Sequence, residues 1–352
     1  MIKYLGSKRR LVPRIVALAQ AIPGARRALD LFTGTTRVAQ GLKRAGLHVT
    51  ANDLASYSEV LAQAYIQADA RTLRHDALAA MLEELNALPG VRGYFTRTFC
   101  EDARYVQPAN GMRVDAIRTR IETITDDATE RAVLLTALLE ATDRVDSTTG
   151  LQMAYLKEWS ARSHRPLRLR MPNLLPGAGV ALRRDATQAV RGGRYDVAYL
   201  DPPYNQHSYY RNYHVWETLV RGDAPPTYGI ANKREDCRRT RSAFNLRGEA
   251  AAALQAVIDG VEARHVILSF SDEGFHPLPG IHAMLSARFG DVAGLPVPSK
   301  RYVGAKIGIF SRSGELVGAP GHLTNTEWLF VAGPDAEGIV AAAAEQPLAE
   351  VA

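Results

Sequence analysis

The sequence of 352 residues is poor in cysteine and contains no long apolar run. Its two cysteines, Cys100 and Cys237, are far apart and fit no metal-ligand spacing, which argues against a disulfide framework and a structural zinc site. No apolar run approaches the roughly 18 residues that a membrane span requires, and residues 1–10 lack the apolar segment of a secretory signal. We therefore expect reduced thiols, no bound metal, no membrane association and a cytoplasmic location.

The overall composition is that of a globular protein with a basic surface. Hydrophobic residues make up 46% and charged residues 23% of the chain, and the formal net charge is +6. A positive charge favours polyanionic partners without identifying one. The length allows one large domain with an insertion, or two modest domains.

Residues near the N-terminus alternate between strand and helix patterns. Residues 28–32 form a short apolar run that predicts a strand, and apolar residues then recur at helical spacing over 38–45. Gly46 is placed to end that helix, and residues 48–51 predict a second strand that ends at Asp53. The pattern predicts a βαβ unit.

The middle of the chain is helical in pattern, and strand patterns return afterwards. Apolar runs at 195–200 and 265–270 predict strands, whereas no convincing strand pattern occurs between about 60 and 165. We expect an α/β fold with a Rossmann-like parallel sheet and a helical insertion, and a long irregular loop at 222–248. The expected organisation is a main domain over 1–60 and 166–333, an insertion over 61–165, and a flexible tail over 334–352.

Gly34 and Asp53 follow the first two predicted strands. A glycine lets the backbone pass close to a ligand, and an acidic residue at the end of the second strand is placed to accept hydrogen bonds from ribose hydroxyls. A single glycine and the lack of a phosphate-binding lysine motif favour an adenosine cofactor without phosphate, such as S-adenosylmethionine. The alternative is an ordinary turn between strand and helix.

The motif Asp201-Pro202-Pro203-Tyr204 directly follows the strand predicted at 195–200. The prolines stiffen the backbone, so the carboxylate of Asp201 and the carbonyl of Pro202 are placed to accept both hydrogens of an exocyclic amino group. The ring of Tyr204 is suited to stacking on the base that carries this group. The alternative is a proline-rich turn after a strand.

These two motifs fit methylation of an aromatic amine. The lone pair of such a nitrogen is delocalised into the ring, which makes it a poor nucleophile. Acceptors on both N–H bonds favour a tetrahedral nitrogen whose lone pair can attack the methyl group of a sulfonium. This chemistry requires no metal.

With these motifs in this order, the sequence resembles the adenine-specific DNA methyltransferases of the DNA adenine methylase type. The resemblance covers most of residues 1 to about 333, and it implies an S-adenosylmethionine-dependent methyltransferase that flips adenine out of duplex DNA. Residues 4–8 resemble the family's N-terminal cofactor segment, and residues 269–274 resemble its later strand motif. The residues implied in cofactor binding are Tyr4, Lys8, Asp30, Phe32, Gly34, Asp53, Asp185, Ala186 and Asp201. For Lys8, the alternative is a solvated surface lysine.

Thr36 departs from the family pattern, which has a second glycine at this position. Because a β-branched residue tolerates less backbone freedom than glycine, we expect the loop to hold an ordinary φ at Thr36. We therefore do not expect cofactor affinity to match that of the family pattern.

Three groups of polar and aromatic residues are candidates for DNA contact. The segment 107–113 is predicted to be an irregular polar stretch between helices, with side chains suited to contacts with base edges. The alternative is a polar interhelical loop without a role in DNA binding. Aromatic and basic residues at 209–213 suit a flipped base or a DNA strand, and the basic run at 233–247 suits phosphates or is a solvated loop. The candidates are Gln107, Asn110, Arg113, Tyr210, Arg211, Lys233, Arg238 and Arg239.

Other functions compete with adenine methylation in duplex DNA. One is methylation of adenine in RNA or of cytosine N4 in DNA, since a flipped amino-bearing base presents similar geometry. Another is a catalytically inactive DNA-binding relative, which Thr36 alone favours. Duplex DNA is the expected partner, and a cognate restriction endonuclease is a further candidate partner.

Overall fold

The computed structural model describes residues 2–153, 156, 158–300, 309–310, 316–318 and 324–345. Strands and helices alternate at both ends of this part of the chain. The strands are β1 (Arg27–Asp30), β2 (His48–Asp53), β3 (Val180–Arg183), β4 (Tyr195–Leu200), β5 (Thr227–Tyr228), β6 (Lys233–Arg234), β7 (Ala263–Ser271), β8 (Val292–Lys300), β9 (Ile309–Phe310), β10 (Leu316–Gly318) and β11 (Thr324–Ala332). The α-helices are α1 (Val12–Ala21), α2 (Arg37–Arg44), α3 (Ser56–Ala62), α4 (His75–Ala87), α5 (Pro108–Ile124), α6 (Ala128–Arg144), α7 (Ala186–Ala189), α8 (Tyr209–Asn212), α9 (His214–Arg221), α10 (Ala250–Gly260), α11 (Leu278–Phe289) and α12 (Ala336–Glu345).

Seven strands form a sheet in the order β3-β2-β1-β4-β7-β11-β8. The pairs β2–β3 and β4–β7 are parallel, and β11 is antiparallel to both β7 and β8. The expected Rossmann-like α/β fold is therefore confirmed, but the sheet is mixed and not wholly parallel, because β11 runs antiparallel to its neighbours. Buried strands read as continuous apolar runs, as in β4 and β7, because both faces of such a sheet are covered.

The chain divides into two compact units. The first comprises residues 1–8, 29–189 and 207–242. Its core includes α6, which is buried along most of its length and whose N-terminus is capped by the Asp127 carboxylate. Between residues 60 and 165 the described residues form helices and one isolated bridge, Val106 to Asp146, in line with the helical pattern there. The domain boundaries at 60 and 165 stay a prediction.

The second unit comprises residues 9–28, 190–206 and 243–352. It contains β4, β7, β8 and β11, with α10 and α11. The segment expected to be a flexible tail contains α12, whose Ile339 and Ala343 are buried, and the flexibility of the tail stays a prediction. Residues 346–352 lie outside the described part.

Residues 222–248 differ from the expected long loop. They contain the β5–β6 hairpin, whose paired strands place Thr227 opposite Arg234, and two short 3₁₀ turns. No helix of the described residues has both the length and the apolar character that a membrane crossing requires.

Candidate functional site

The carboxyl ends of β1, β2 and β3 are tied together by one buried side chain in the first unit. The amide nitrogen of Asn52 donates to the carbonyls of Leu31 and Arg184, each at 3.1 Å, and its oxygen accepts from the Arg184 N–H at 3.1 Å. Asn52 is 1% exposed. It therefore positions the loops that follow all three strands. Sequence reasoning missed Asn52, although a polar residue inside a buried strand was a usable signal.

Asp53, at the end of β2, holds the loop that follows β1. Its Oδ2 accepts from the Gly34 N–H at 2.9 Å, and its Oδ1 accepts from the Ala55 N–H at 3.1 Å. Burial raises the pKa of Asp53, and these backbone hydrogen bonds oppose the shift. Because an ionised carboxylate offers about four acceptor positions, Asp53 retains capacity for ligand hydroxyls.

Gly34 is required where the loop approaches the N-terminal segment. Its φ is +51°, and a Cβ there would lie 3.2 Å from the ring of Tyr4. That ring stacks with Tyr213, at 4.5 Å between centroids, and with Tyr209, at 5.2 Å. The Tyr4 and Tyr57 hydroxyls are 3.3 Å apart. Four tyrosines therefore cluster together, with Tyr4 against the expected cofactor loop. Of these four, only Tyr4 was predicted from the sequence to contact the cofactor.

Lys8 and Asp30 lie inside the protein. Lys8 is only 9% exposed, which excludes the solvated surface lysine. Asp30 Oδ2 accepts from the Thr33 hydroxyl at 2.9 Å and the Ala39 N–H at 3.0 Å, so it secures the loop against the first turn of α2. Phe32 lies half-buried in the same loop. Their contact with a cofactor stays a prediction.

Asp185 directly precedes α7, and Ala186 is the first residue of this helix, which follows β3. Asp185 Oδ1 accepts from the Thr187 N–H at 2.9 Å and the Thr187 hydroxyl at 2.5 Å, which caps the helix. Asp185 is exposed and Ala186 is buried. The backbone of Arg184, which Asn52 binds, fixes the start of this segment, and the adenine contact stays a prediction.

The Asp201–Tyr204 motif, in the second unit, is fixed by bonds to its backbone. The Tyr204 carbonyl accepts from the Phe275 N–H at 2.8 Å, and the Asn205 carbonyl accepts from the Asn245 side chain at 2.8 Å. The Tyr204 ring meets Phe270 edge-on, with 5.7 Å between centroids. The loop is therefore rigidly placed. Sequence reasoning missed Phe275 and Asn245, since both bonds join segments about 40 or more residues apart.

The segment 269–274 supports that loop from the end of β7. Gly274 donates its N–H to the Ser271 carbonyl at 3.1 Å, and a Cβ at Gly274 would lie 2.2 Å from the Phe270 ring. A larger residue would displace Phe270, the ring that contacts Tyr204. The later strand motif thus positions the Asp201–Tyr204 loop.

A family model described as D12 class N6 adenine-specific DNA methyltransferase matches residues 4–271, about three quarters of the chain. The chain belongs to this family. The match runs from the N-terminal segment through the Asp201–Tyr204 motif to the end of β7, and it agrees with the resemblance inferred from the motifs.

Several modification methylases are similar to this chain. Modification methylase StsI of Streptococcus sanguinis is 30% identical over 291 residues, covering 77% of this chain and 44% of the relative. Type II methyltransferase M.NlaIII of Neisseria lactamica is 30% identical over 271 residues, covering 74% and 79%. M.FokI of Planomicrobium okeanokoites is 27% identical over 292 residues, covering 77% and 45%. The chain thus spans less than half the length of StsI and M.FokI.

Thr36 adopts a left-handed conformation with φ of +61°, so the expected ordinary φ is wrong. The geometry that glycine provides in the family pattern is kept by hydrogen bonds. The Thr36 hydroxyl donates to the Thr35 carbonyl at 2.7 Å and accepts from Gln40 at 2.9 Å, and its N–H donates to the Thr33 carbonyl at 2.7 Å. These bonds offset the strain of a β-branched residue with positive φ.

Comparing glycine with alanine at position 36 measures this strain. Both substitutions remove the hydroxyl, but only glycine relieves a left-handed strain of about 1–2 kcal/mol. We expect Thr36→Gly to be more stable than Thr36→Ala by about 1 kcal/mol in urea unfolding. Exposed Glu83, within α4, is the control position. There the order of stability should reverse, with Glu83→Gly about 1 kcal/mol less stable than Glu83→Ala. The same order at both positions would contradict the strain at Thr36.

The segment 107–113 is not an irregular stretch, because α5 begins at Pro108. Asn110 is 6% exposed, and its amide donates to the carbonyls of Ser163 and Arg165 while its oxygen accepts from the Leu167 N–H. These bonds join α5 to the segment at 163–167. They oppose the predicted base contact of Asn110, since contact with DNA would break several buried hydrogen bonds.

Arg113 and Gln107 are also engaged within the chain. Arg113 donates to the carbonyls of Leu88 and Asn86, each at 2.9 Å, and so satisfies the C-terminus of α4. The Gln107 amide lies 3.0 Å from the His164 ring nitrogen. Arg113 is therefore a helix-capping side chain in this structure, and the base contacts of Arg113 and Gln107 stay untested predictions.

The remaining candidates for DNA contact lie in α8, at the start of β6 and in the turn that follows β6. Arg211 donates to the Cys237 carbonyl at 3.0 Å, and burial raises the pKa of Tyr210 to about 12, so its hydroxyl stays protonated. Arg238 lies 4.2 Å from the centre of the Tyr228 ring. Lys233 is half-buried, whereas Arg238 and Arg239 are exposed, as phosphate contacts require.

Proposed function

We propose that this chain transfers a methyl group from S-adenosylmethionine to the N6 amino group of an adenine that is flipped out of duplex DNA. The observation that carries the proposal is the Asp201–Tyr204 motif, held by Phe275 and Asn245 in a chain of the D12 class family. Its Asp201 carboxylate and Pro202 carbonyl are the acceptors for the two hydrogens of the amino group.

The loop after β1 suits an adenosine cofactor. Gly34 removes the side chain where the backbone lies against Tyr4, and Asp53 keeps acceptor capacity for ribose hydroxyls after binding the loop. We assign Asp53 to the ribose and Tyr4 and Phe32 to nearby apolar contacts. When bound, S-adenosylmethionine supplies an electrophilic methyl group on a sulfonium.

The residues of the chain act on the target amine. Asp201 and the Pro202 carbonyl orient the nitrogen and stabilise the positive charge that develops on it, and the carboxylate is placed to receive the proton that leaves. Tyr204 stacks on the extruded base. The rigid backbone bonds to Tyr204 and Asn205 keep these groups in place without reorganisation.

Transfer of radiolabelled methyl groups tests the substrate directly. The purified chain is incubated with labelled S-adenosylmethionine and either unmethylated plasmid DNA or structured RNA. Label in DNA alone supports the proposal. Label in RNA alone would establish an RNA methyltransferase, and single-turnover inactivity on both would establish an inactive relative.

A restriction endonuclease with the same recognition sequence is the partner that we propose. Three relatives are named as modification or Type II methyltransferases, which is the support for a role in restriction and modification. Sequencing of modified bases in DNA from expressing cells gives the methylated site. An endonuclease from the source cells that cuts unmethylated DNA at this site, and not methylated DNA, would support the pairing.

Substitution of Tyr204 tests base stacking. Tyr204→Phe keeps the aromatic face and should retain most activity, whereas Tyr204→Ala should lose about 1–3 kcal/mol of stacking, about five- to hundredfold. The Ala defect should shrink when the target adenine lies opposite a mismatch, since unpairing is then partly achieved. Fluorescence of 2-aminopurine at the target reports extrusion. An equal defect on both duplexes, with Phe as impaired as Ala, would rule out stacking.

A further inference from the structure

The turn between β5 and β6 presents an apolar side chain to solvent. Ile230 is 75% exposed, against 58% for Val91 and 46% for Leu54, the other large exposed apolar residues of the described chain. Burying an isoleucine side chain typically contributes about 1.5–3 kcal/mol, which this position forgoes.

The exposure of Ile230 does not come from a loose loop, because both sides of the turn are anchored. Asn232 donates its side-chain amide to the Thr98 carbonyl at 2.8 Å and its N–H to the Gly229 carbonyl at 3.0 Å. The carbonyl of Ala231 accepts from the Tyr105 hydroxyl at 3.1 Å. The turn is thus fixed with Ile230 projecting from it.

The base of the hairpin is also rigid. Arg234, on β6, is 1% exposed and forms two 2.7 Å hydrogen bonds to the Asp223 carboxylate. It also donates to Asp236 at 2.8 Å. Two of the three acidic side chains in residues 221–241 are therefore neutralised by a buried arginine.

The segment that carries the turn is basic. Residues 221–241 carry six basic and three acidic side chains. Arg239 and Arg241 are exposed and form no ion pair within the described residues, while Arg238 lies against Tyr228. An apolar tip on a basic segment complements a DNA groove, where bases offer apolar surface between two rows of phosphates.

We propose that the 229–232 turn enters a groove of duplex DNA, with Ile230 against the base pairs and Arg239 and Arg241 on the flanking phosphates. The proposal rests on DNA as the substrate. Isoleucine is among the side chains that proteins insert against base steps, and a preordered turn lowers the entropic cost of insertion.

Salt dependence separates an apolar contact from an ionic one. Affinity of the full chain for a fluorescein-labelled 40-bp duplex of mixed sequence is measured by anisotropy between 50 and 200 mM KCl. Ile230→Ala should weaken binding about tenfold at every salt concentration and leave the slope of log K against log salt unchanged. Arg239→Ala should reduce the magnitude of that slope by about 0.9. Ile230→Leu should restore affinity.

Val91→Ala is the matched control, since it truncates another exposed apolar residue, and it should bind as the wild type does. Normal affinity of Ile230→Ala would overturn the proposal, as would a sedimentation change showing that Ile230 joins two copies of the chain. Methyl transfer by the wild type to unmethylated plasmid is measured alongside. If the wild type transfers methyl groups and Ile230→Ala binds DNA normally, only the role of the turn is refuted. If the wild type transfers no methyl groups but Ile230→Ala still weakens DNA binding, only the proposed catalysis is refuted.

Discussion

Replacing Asp201 with Ala should lower the rate of methyl transfer by about 10² to 10³-fold, because on the proposed mechanism the target amine loses a preorganised acceptor at the nitrogen where positive charge develops. Affinity for S-adenosylmethionine should change little, since the carboxylate acts mainly on the amine. Single-turnover transfer to duplex DNA measures the rate, and calorimetry measures cofactor binding. The backbone bonds that hold Tyr204 and Asn205 do not involve the Asp201 side chain, so the loop should remain in place.

Asp196→Ala is the control for this substitution. Asp196 lies on β4, the strand that leads to Asp201. Its carboxylate accepts hydrogen bonds from the Arg26 and Arg27 N–H groups at 2.8 and 2.9 Å. It should retain the rate of the wild type at a temperature where both proteins are folded. Near-normal turnover of Asp201→Ala, or an equal loss in Asp196→Ala, would overturn the catalytic role of Asp201.

Asp53→Ala should weaken S-adenosylmethionine binding by about ten- to hundredfold, the cost of losing hydrogen bonds to a charged acceptor. DNA affinity should change little. Asp76→Ala, at an exposed position in α4, provides the control and should bind the cofactor normally. Unchanged affinity in Asp53→Ala by calorimetry would place the ribose elsewhere.

The pH dependence of cofactor binding adds a second test of Asp53. Burial raises the pKa of this carboxyl, so it gains a proton at a higher pH than an exposed aspartate does. If the ionised form binds the ribose, affinity should fall as the pH falls through that raised pKa. Asp53→Asn should bind S-adenosylmethionine weakly and should not show this fall in affinity with pH. An identical pH profile in the wild type and Asp53→Asn would contradict the assignment.

The local patterns of the sequence predicted the elements that carry the motifs. The apolar run before Asp30, the helical period over 38–45 and the glycine at 46 correspond to β1, α2 and a residue with φ of +90° after the helix. Such signals are encoded in neighbouring residues, so they can be read without knowing the tertiary fold. The position of the Asp201–Tyr204 motif after β4 was predictable for the same reason.

Contacts between distant segments could not be predicted in this way. Asn110 and Arg113 have side chains suited to bases, but their partners lie 25 to 57 residues away and use those groups inside the protein. The sequence of the 229–232 turn has no apolar period that would predict its structure. Its conformation depends on hydrogen bonds with the distant residues Tyr105 and Thr98. Polar residues chosen from composition alone therefore include both candidate DNA contacts and structural caps.

Thr36 shows a related limit of sequence reasoning. Propensity predicts an ordinary φ for a β-branched residue, yet the hydrogen bonds to Thr35 and Gln40 hold Thr36 in the conformation that glycine adopts readily. The backbone of the loop is thus preserved despite the substitution. Thr36 is therefore weak support for an inactive relative.

The most direct measurement is mass spectrometry of nucleosides from unmethylated plasmid DNA incubated with the purified chain and S-adenosylmethionine carrying a deuterated methyl group. We expect deuterated N6-methyladenine, absent when Asp201→Ala replaces the wild type. Deuterated N4-methylcytosine, or no deuterated nucleoside from wild-type protein that binds the cofactor, would contradict adenine methylation by the Asp201–Tyr204 motif.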